Sequence, residues 1–445
     1  MKKILLIFNI LLCHSSLAQI TLKECIENGL ANKATIKSAK TEVLIANLQR
    51  LESKGKFLPQ ITLAYDYRYN PIIASQIVPV GQFSLEPSNE TRAIQFGTNW
   101  QQNAGLTVYQ PIIDLAIKSR FVESKINETL ANIDLKKVEE DLTFEIVKTY
   151  SRILTLGFQV EESVSDTLRS FHSYSLFNTK FKEGKLLKTE LNKGLVNHYA
   201  NLATYKKALS LFINEKIYLH YLTNIDLERV LTASFTPIPP NMLAENTLQT
   251  DELRTENSME FQKLLSKETL ITQQIKTEKA KYMPTVGLQS FVGANQFSQG
   301  FTPFKRDSWF GNSYVGLSVK LSIFSPDKSI NADKQKKNQL MMIGYQKEDL
   351  TFQKRKELLQ IVVELERLQT ERHLAQNTVT VLHESVKLYQ ERLQDGQFVA
   401  SELNIQEADL QKNILYVKQL NEQFNKTLIE KLYITGSFME NRKKL

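Results

Sequence analysis

The sequence is poor in the residues that interrupt secondary structure or cross-link a chain. Its 445 residues include only 16 glycines, 11 prolines and two cysteines. Cys13 lies in an apolar N-terminal segment and Cys25 just beyond it, so a chain cleaved between them would form no internal disulfide. Proline is missing from Asp114 to Glu183, which leaves that stretch free to form a single helix.

Motifs of common enzymes and metal sites are also missing. The sequence has no His-Glu-x-x-His, no Cys-x-x-Cys, no Gly-x-Ser-x-Gly and no phosphate-binding loop, although these patterns mark the main classes of hydrolase, redox and nucleotide sites. The formal charge of +8 is spread along the chain and forms no basic cluster with aromatic residues, which argues against nucleic-acid binding. We therefore predict no enzyme, no metal and no cofactor.

Residues 1–18 have the pattern of a secretory signal peptide. Two lysines precede the apolar residues 4–12, and Ser16-Leu17-Ala18 is a small-residue cleavage site. About a dozen apolar residues are too few to span a bilayer, so we expect export rather than anchoring. Leu12 precedes Cys13, where a lipoprotein signal needs a small residue, so lipidation is not expected. Beyond this segment no run of about 18 apolar residues predicts a transmembrane helix.

The rest of the sequence is one unit written twice. Lys56-Phe57-Leu58-Pro59 returns as Lys281-Tyr282-Met283-Pro284, each before an alternating strand. Gly184 and the following Glu190 return as Gly396 and Glu402 with the same spacing. A period of roughly 210–225 residues is far longer than that of solenoid repeats. We therefore predict a duplicated domain, with repeats at 19–224 and 246–436.

Two further segments follow from composition. Residues 225–245 break the periodicity and contain Pro237, Pro239 and Pro240, which predicts a linker between the repeats. Residues 437–445 are basic and are assigned as a C-terminal tail.

Each repeat contains two amphipathic strands. In residues 60–70 the odd positions are apolar or aromatic and the even ones are polar except for Ala64, and residues 309–323 alternate in the same way. Residues 100–108 and 286–292 are weaker partners. Alternation over about 9–11 residues with aromatic ends is typical of transmembrane strands. A sheet with one face on a soluble core gives the same alternation, but the signal peptide and the flanking helices favour a membrane.

Four strands cannot close a barrel, for which about eight are needed. The outer edges must therefore pair with other copies of the chain. The sequence thus implies an oligomer without giving its number, and a trimer would have twelve strands. Polar loops at 71–99 and about 295–307 join the strands of each pair, as is usual on the outer side of such barrels.

Long helices account for most of the remaining chain. Residues 114–183 and 329–394 predict helices of about 105 and 99 Å. An opening helix over 22–56 and a return helix over about 190–222 together match one of these lengths. Two seams indicate coiled-coil packing, namely Val379, Leu382, Val386, Tyr389 and Leu393 in the second repeat and Val160, Val164, Thr167, Phe171 and Tyr174 in the first.

Glycine turns separate the long helices from the return helices. Gly184 and Gly396 suit the left-handed residue that ends a helix, and Thr189 and Ser401 are good N-cap residues. Two interpretations remain open for the glutamates that follow the caps. They could complement a helix dipole, or they could form a ring of carboxylates at a pore mouth that favours cations. These candidate aperture carboxylates are Glu190 and Glu402.

The order, spacing and duplication of these motifs resemble the outer membrane efflux protein family, the TolC type. The segment 21–26 resembles its N-terminal helix, and the motifs that end at Pro59 and Pro284 are similar to its entries into the first strand of each repeat. Arg392, Gly396 and the acidic-Leu pair beyond them are similar to its Arg-x-x-x-Gly tip motif, in which the first repeat has Lys180. The family usually has alanine ten residues after the tip glycine, whereas this chain has Gly194 and Gln406.

The resemblance implies a mainly α fold with transmembrane β-strands. Three copies would form a twelve-stranded barrel in the outer membrane, on a coiled-coil helical tunnel in the periplasm. It also implies that a periplasmic adaptor docks at the tips, around Lys180, Gly184, Arg392 and Gly396, and that an inner-membrane pump supplies drugs, metal ions or proteins. The alternative is an exported coiled-coil structural or adhesive protein without a pore.

Overall fold

A computed structural model of the chain describes residues 19–79, 91–237, 255–302, 305, 309–323, 330–394 and 400–436. Four of the sequence predictions lie outside these residues: the signal peptide 1–18, the linker segment 238–245, the tip residue Gly396 and the tail 437–445. The side chains of Arg392 and Glu402 are outside the described part as well, although both residues belong to helices.

The first repeat and the residues after it contain the following elements, in chain order: β1 (Gln19–Ile20), α1 (Leu22–Asn32), α2 (Ala34–Gly55), β2 (Gln60–Tyr69), β3 (Ser75–Pro79), β4 (Thr91–Gln95), β5 (Trp100–Ile113), α3 (Leu115–Lys182), α4 (Lys188–Thr223), α5 (Leu227–Thr232) and β6 (Ser234–Phe235). The second repeat contains a 3₁₀ turn (Thr255–Asn257), α6 (Met259–Ala280), β7 (Thr285–Ser298), β8 (Trp309–Lys320), α7 (Ile330–Gln394) and α8 (Ala400–Ile434). The fold is mainly helical, as predicted.

The chain divides into two compact units, and each unit takes segments from both repeats. The helical unit comprises Met1–Val43, Leu130–Ser266 and Ile343–Leu445, and the sheet unit comprises Leu44–Thr129 and Lys267–Met342. The long helices α3 and α7 contribute residues to both units.

An apolar core holds the helical unit together. Its fully buried members include Ile20, Ile36, Ile146, Tyr150 and Leu219. The Tyr150 hydroxyl is 2.9 Å from the Ile20 carbonyl oxygen and 2.8 Å from that of Thr236, at the place where β1 pairs with β6 in parallel. The start of the described chain is therefore fixed in the core by an interior hydroxyl.

The predicted opening helix is broken, which corrects the single helix expected over 22–56. Helix α1 begins after Thr21, whose hydroxyl accepts a hydrogen bond from the Glu24 amide at 3.2 Å, and it ends before Lys33, which has an extended backbone (φ −63°, ψ 129°). Lys33 is buried, and its ammonium donates to the Tyr221 carbonyl at 2.5 Å while lying 3.1 Å from the centroid of that ring. This tertiary contact coincides with the break, and helix-forming propensity along the chain gives no sign of it.

The described part of the predicted linker is folded. Asp226 caps α5 by accepting a hydrogen bond from the Arg229 amide at 3.1 Å, and Val230 is fully buried. The ammonium of the buried Lys216 donates to the Leu231 carbonyl at 2.9 Å, close to the C-terminal end of α5, where the helix dipole favours a cation. Residues up to 237 therefore belong to the helical unit.

The sheet unit contains an antiparallel four-stranded sheet in the order β2-β5-β7-β8. The two predicted hairpins are present, and β5 pairs with β7 to join the repeats, a pairing that the sequence analysis left open. The register of β5 on β7 shifts once, between Pro111 and Ile113. A separate hairpin, β3–β4, occupies part of the predicted loop 71–99. Across the described residues, no helix is long and apolar enough to cross a membrane.

Candidate functional site

The turn between α3 and α4 has the geometry predicted for a tip. Gly184 has φ +71°, a left-handed value that strains residues with a side chain. Its amide donates to the Phe181 carbonyl at 2.9 Å, and the Lys185 amide donates to the Lys180 carbonyl at 2.8 Å. These two bonds form a Schellman motif, which satisfies the last carbonyls of a helix. Lys180 therefore takes part in the turn through its backbone oxygen.

The return helix starts differently from the prediction. Helix α4 begins at Lys188, and its N-cap residue is Leu187, which is extended and provides no side-chain cap. The prediction of Thr189 as N-cap is wrong, because Thr189 already lies inside the helix. The turn geometry places the extended residue two positions earlier, where the side chain has no acceptor. In the second repeat, Ser401 lies within α8.

Glu190 lies in the first turn of α4, where a negative charge complements the helix dipole. Its Oε1 accepts a hydrogen bond from the ammonium of Lys193 at 2.8 Å, and both side chains are largely exposed. The carboxylate is thus already paired within its own helix. This arrangement favours the dipole interpretation of Glu190, while the side chain of its counterpart Glu402 is not among those described.

Gly194, where the resemblance led us to expect alanine, has a packing role that the sequence analysis missed. A Cβ atom on Gly194 would lie 2.7 Å from Cδ2 of Phe177, which is too close for a real contact. The missing side chain lets the Phe177 ring of α3 pack directly on the backbone of α4. Phe177 and Gly194 lie on different helices, so no local pattern in the sequence indicates this contact. At the equivalent position, Gln406 lies in α8 and is partly buried.

The strand-entry prolines occupy equivalent turns. The amides of Phe57 and Leu58 donate to carbonyls at the end of α2 at 3.1 and 2.9 Å, and those of Tyr282 and Met283 donate to the end of α6 at 3.2 and 3.1 Å. Pro59 and Pro284 then directly precede β2 and β7. A proline has no amide to donate and disfavours the helical conformation before it, so each motif ends a helix and starts a strand.

The two faces of the sheet differ in polarity, and we name them the apolar face and the polar face. On the apolar face, Leu63 pairs with Leu106, Leu106 with Val292, and Leu288 with Leu317. Direct partners in an antiparallel sheet point to the same side. Leu63 and Leu317 are 78% and 70% exposed. The polar face carries Asp66, Arg68, Asn103, Asn295, Asn312, Ser318 and Lys320.

An aromatic group marks one end of the apolar face. The rings of Tyr67 and Tyr69 lie 5.1 and 4.5 Å from that of Trp100, and Phe301 packs against the same indole at 5.2 Å. Beside them the buried amides of Gln102 and Gln296 are hydrogen-bonded to each other. Aromatic residues in this position are typical of strands that meet a membrane interface.

A charged network in the helical unit escaped the sequence analysis. Lys137 on α3 contacts Glu260 on α6 at 2.9 Å, Glu260 contacts Lys354 on α7 at 3.2 Å, and Tyr433 on α8 donates to Asp141 at 2.6 Å. The adjacent Glu140 is 6% exposed. Burial, and then the charge of Asp141, raises the pKa of Glu140 to about 7. The sequence shows only scattered charges here, because the four helices meet through the fold.

Solved structures match this chain over nearly its whole length. The outer membrane protein VceC from Vibrio cholerae is similar, with a TM-score of 0.65 at 13% identity, and the match covers 93% of this chain and 96% of VceC. The CmeC outer membrane channel of Campylobacter jejuni has a TM-score of 0.69 at 16% identity, with 95% and 89% covered. This chain has the fold of these outer membrane channels.

The open state of the Neisseria gonorrhoeae MtrE outer membrane channel shares this fold, with a TM-score of 0.63 at 13% identity over 94% of this chain and 89% of the other. No protein-family model matches the sequence, and a search of curated proteins gives no match. The mainly helical fold that the resemblance to the TolC type implies for a single chain is therefore confirmed by these structural matches.

Proposed function

We propose that this protein is a passive, non-enzymatic exit duct of the outer membrane, in a tripartite efflux or type I secretion system. Three copies would close a twelve-stranded barrel, and their helices would form a tunnel in the periplasm. The observation that carries the proposal is the open sheet with an exposed aliphatic face. A water-facing sheet with Leu63 and Leu317 exposed on one side would aggregate, whereas lipid is a suitable solvent for this face.

The edges of the sheet support assembly from several copies. Among the described residues, β2 and β8 each pair on one side only. Unpaired edges are costly in a bilayer because backbone groups there find no water. Pairing β8 of one copy with β2 of the next removes every edge, and three copies reach a strand number that can close.

The helical unit has a second exposed apolar feature, which we name the heptad stripe. Tyr345, Phe352 and Leu359 recur every seven residues along α7, and so do Leu374, Val381 and Leu388; all six are between 57% and 65% exposed. A seven-residue recurrence is the pattern of a coiled-coil seam. The predicted seam residue Val386, in contrast, is buried within the chain. The heptad stripe is therefore available to helices of neighbouring copies.

The tips supply the proposed docking end for a periplasmic adaptor, behind which an inner-membrane pump would supply the cargo. The turn at Gly184 presents backbone and the exposed side chain of Leu187. We propose the same role for Lys180, Arg392 and Gly396 by the duplication. The cargo could be small molecules such as drugs, metal ions, or proteins, because a duct leaves selection to its pump.

The alternative function, an exported coiled-coil structural or adhesive protein without a pore, is favoured by the heptad stripe alone. In a protein of that kind the exposed aliphatic face of the sheet would lie in water, where it would aggregate. The two functions therefore differ in where the sheet resides.

Fractionation followed by reconstitution tests the proposal. We expect the full chain in the outer membrane fraction, extractable only by detergent, as a trimer by light scattering, and conducting ions in planar bilayers. A soluble periplasmic monomer, or a membrane trimer that never conducts, would contradict the duct.

A further inference from the structure

Two aromatic side chains pack on glycines of the polar face, and a third stacks beside them. A Cβ atom on Gly105 would be 2.3 Å from Cε2 of Phe291, and one on Gly293 would be 2.6 Å from Cζ of the same ring. Gly105 and Gly293 are direct partners on adjacent strands, so this ring covers both. A Cβ atom on Gly105 would force this ring to move, and one on Gly293 would also meet the Ala104 carbonyl oxygen at 2.5 Å.

The other two rings extend this surface. A Cβ atom on Gly287 would be 2.4 Å from Cε2 of Tyr109, so the Tyr109 ring also packs directly on backbone that carries no side chain. Tyr314 pairs directly with Phe291, and their ring centroids are 5.7 Å apart at an interplanar angle of 21°. We name Tyr109, Phe291 and Tyr314 the aromatic platform; it spans β5, β7 and β8.

Beside the platform lies a glycine that no ring covers. Gly316 is two residues beyond Tyr314 on β8 and so points to the same face. It pairs directly with Gln289, and no atom of the described residues lies within 4 Å of the position its Cβ would take. The Gln289 amide lies 3.2 Å from the Tyr314 hydroxyl, which holds the exposed Tyr314 ring at the border of this open area.

The charge on this part of the face is positive. Lys320 lies on the same side of β8, and its ammonium is 5.7 Å from the centroid of the Tyr109 ring. In the proposed barrel β2 of the next copy would pair with β8, and β2 carries both Asp66 and Arg68 on this face. The opposite charges of these two residues offset each other, so Lys320 leaves the net charge positive. A solute that contacts the aromatic platform near Gly316 therefore meets an ammonium group, which favours an anion over a cation.

We propose that the area over Gly316, bordered by Tyr314 and Gln289, is a transient stacking site for a planar aromatic acid. The molecule places its own rings on three neighbouring glycines of this face, and a solute ring would continue the same arrangement against Tyr314. Aromatic pairs favour such offset contacts beyond the area they bury. The inference rests on the proposed function, because this face lines a lumen only where copies close the barrel.

The test measures binding without requiring conduction. The probe is 2-naphthoate, whose fluorescence anisotropy is followed on the detergent-solubilised full-length trimer. Its saturated analogue, decahydro-2-naphthoate, has the same charge and a similar size but no flat ring. We expect saturable binding of 2-naphthoate, and competition by the analogue at least about fivefold weaker, the factor given by one aromatic contact.

Two variants locate the site. Gly316→Leu fills the open area and should weaken 2-naphthoate binding about fivefold or more. Gly311→Leu is the matched control: it changes a glycine of the same strand on the apolar face, where a Cβ finds an ordinary contact of 3.9 Å, and binding should persist. If Gly316→Leu fails to assemble, Tyr314→Leu decides, since it removes the bordering ring and should weaken binding by a similar factor.

The outcomes separate the stacking site from the duct. Equal binding by wild type, Gly316→Leu and Tyr314→Leu, or equal competition by the saturated analogue, overturns the stacking site. Channels that conduct in bilayers but bind no naphthoate leave the duct standing and remove this inference alone. A trimer that binds naphthoate but never conducts overturns the duct instead, and recovery as a monomer overturns both.

Discussion

The helical unit and the sheet unit place their aliphatic residues in opposite ways. In the helical unit Ile146 is fully buried, and polar groups such as the Tyr150 hydroxyl have partners inside. In the sheet unit Leu63 and Leu317 are 78% and 70% exposed, while Asp66 and Arg68 occupy the other face. One chain thus has a core of the kind expected in water and also a sheet whose apolar side its own described residues leave exposed.

Burial within one chain therefore identifies a core only where water surrounds that chain. In the sheet unit the exposed aliphatic residues carry as much information as buried ones, because they show which surface would have to avoid water in the proposed assembly. The heptad stripe of α7 has the same meaning within the helical unit, since its apolar residues recur at coiled-coil spacing and are more than half exposed among the described residues.

The largest expected effect on stability comes from shortening a buried aliphatic side chain of the helical unit, which we compare with the same kind of change in the sheet unit. Ile146→Ala should lower the free energy of unfolding by about 2–5 kcal/mol, because it leaves a cavity in a packed core. Leu317→Ala should cost much less, because the surrounding lipid or detergent can fill the space. Denaturant titration of the two variants in the same detergent measures both, and equal losses would mean that Leu317 belongs to a packed interior.

A charge on the sheet distinguishes its two faces. Leu317→Arg should destabilise the membrane-inserted form by about 2–4 kcal/mol if the site lies near the bilayer midplane. Ser318→Arg, one residue along on the polar face, should have little effect. Yields of trimer in the outer membrane compare the two variants, and similar yields would show that the facing assignment is wrong.

The buried carboxyl of the helical unit should make its stability depend on pH. The pKa of Glu140 is about 7 in the folded chain and 4.5 as an ordinary value, so the folded state holds a proton that the unfolded state releases between these values. The contribution of Glu140 to the free energy of unfolding is fully present below pH 4.5 and is lost as the pH rises through 7. The loss amounts to about 3 kcal/mol at most.

Glu140→Gln should therefore unfold at a higher temperature than wild type at pH 8 and at a similar temperature at pH 4. Glu161→Gln, at an exposed position of the same helix, is the control and should leave the pH profile unchanged. A Glu140→Gln profile that parallels wild type would show that the charged network keeps this carboxylate ionised.

The smallest effect on stability is expected at the tip. Gly184→Leu should cost about 1–2 kcal/mol for the left-handed backbone, and open space surrounds its Cβ position. The trimer should therefore form, while export should fall because the side chain obstructs the proposed adaptor contact. Export at the wild-type rate from normal amounts of trimer would place the docking end elsewhere. Gly184→Ala, which strains the same backbone with a smaller side chain, separates strain from obstruction.

Local chemistry explains why several predictions from the sequence hold. Gly184 ends its helix with a left-handed backbone, and Pro59 and Pro284 precede strands, because these conformations depend on the residue and its immediate neighbours. The strand hairpins also follow from alternation within short segments. Thr189 shows the limit of such reasoning: it is a good capping residue, but the turn before it places the extended position at Leu187.

The sequence by itself determined the duplication, the strands with one apolar face, the long helices and the glycine turn, since each is written in periodicity or in a residue with special backbone freedom. Only the tertiary structure decided the pairing of β5 with β7, the break at Lys33 and the charged network around Glu140. Each of these features brings together residues that are distant along the chain. A linear pattern in the sequence does not specify which of the possible contacts forms. The same reason separates two sets of residues on α7 that both have coiled-coil spacing. The fold of the chain buries Val386 and leaves Leu374, Val381 and Leu388 exposed.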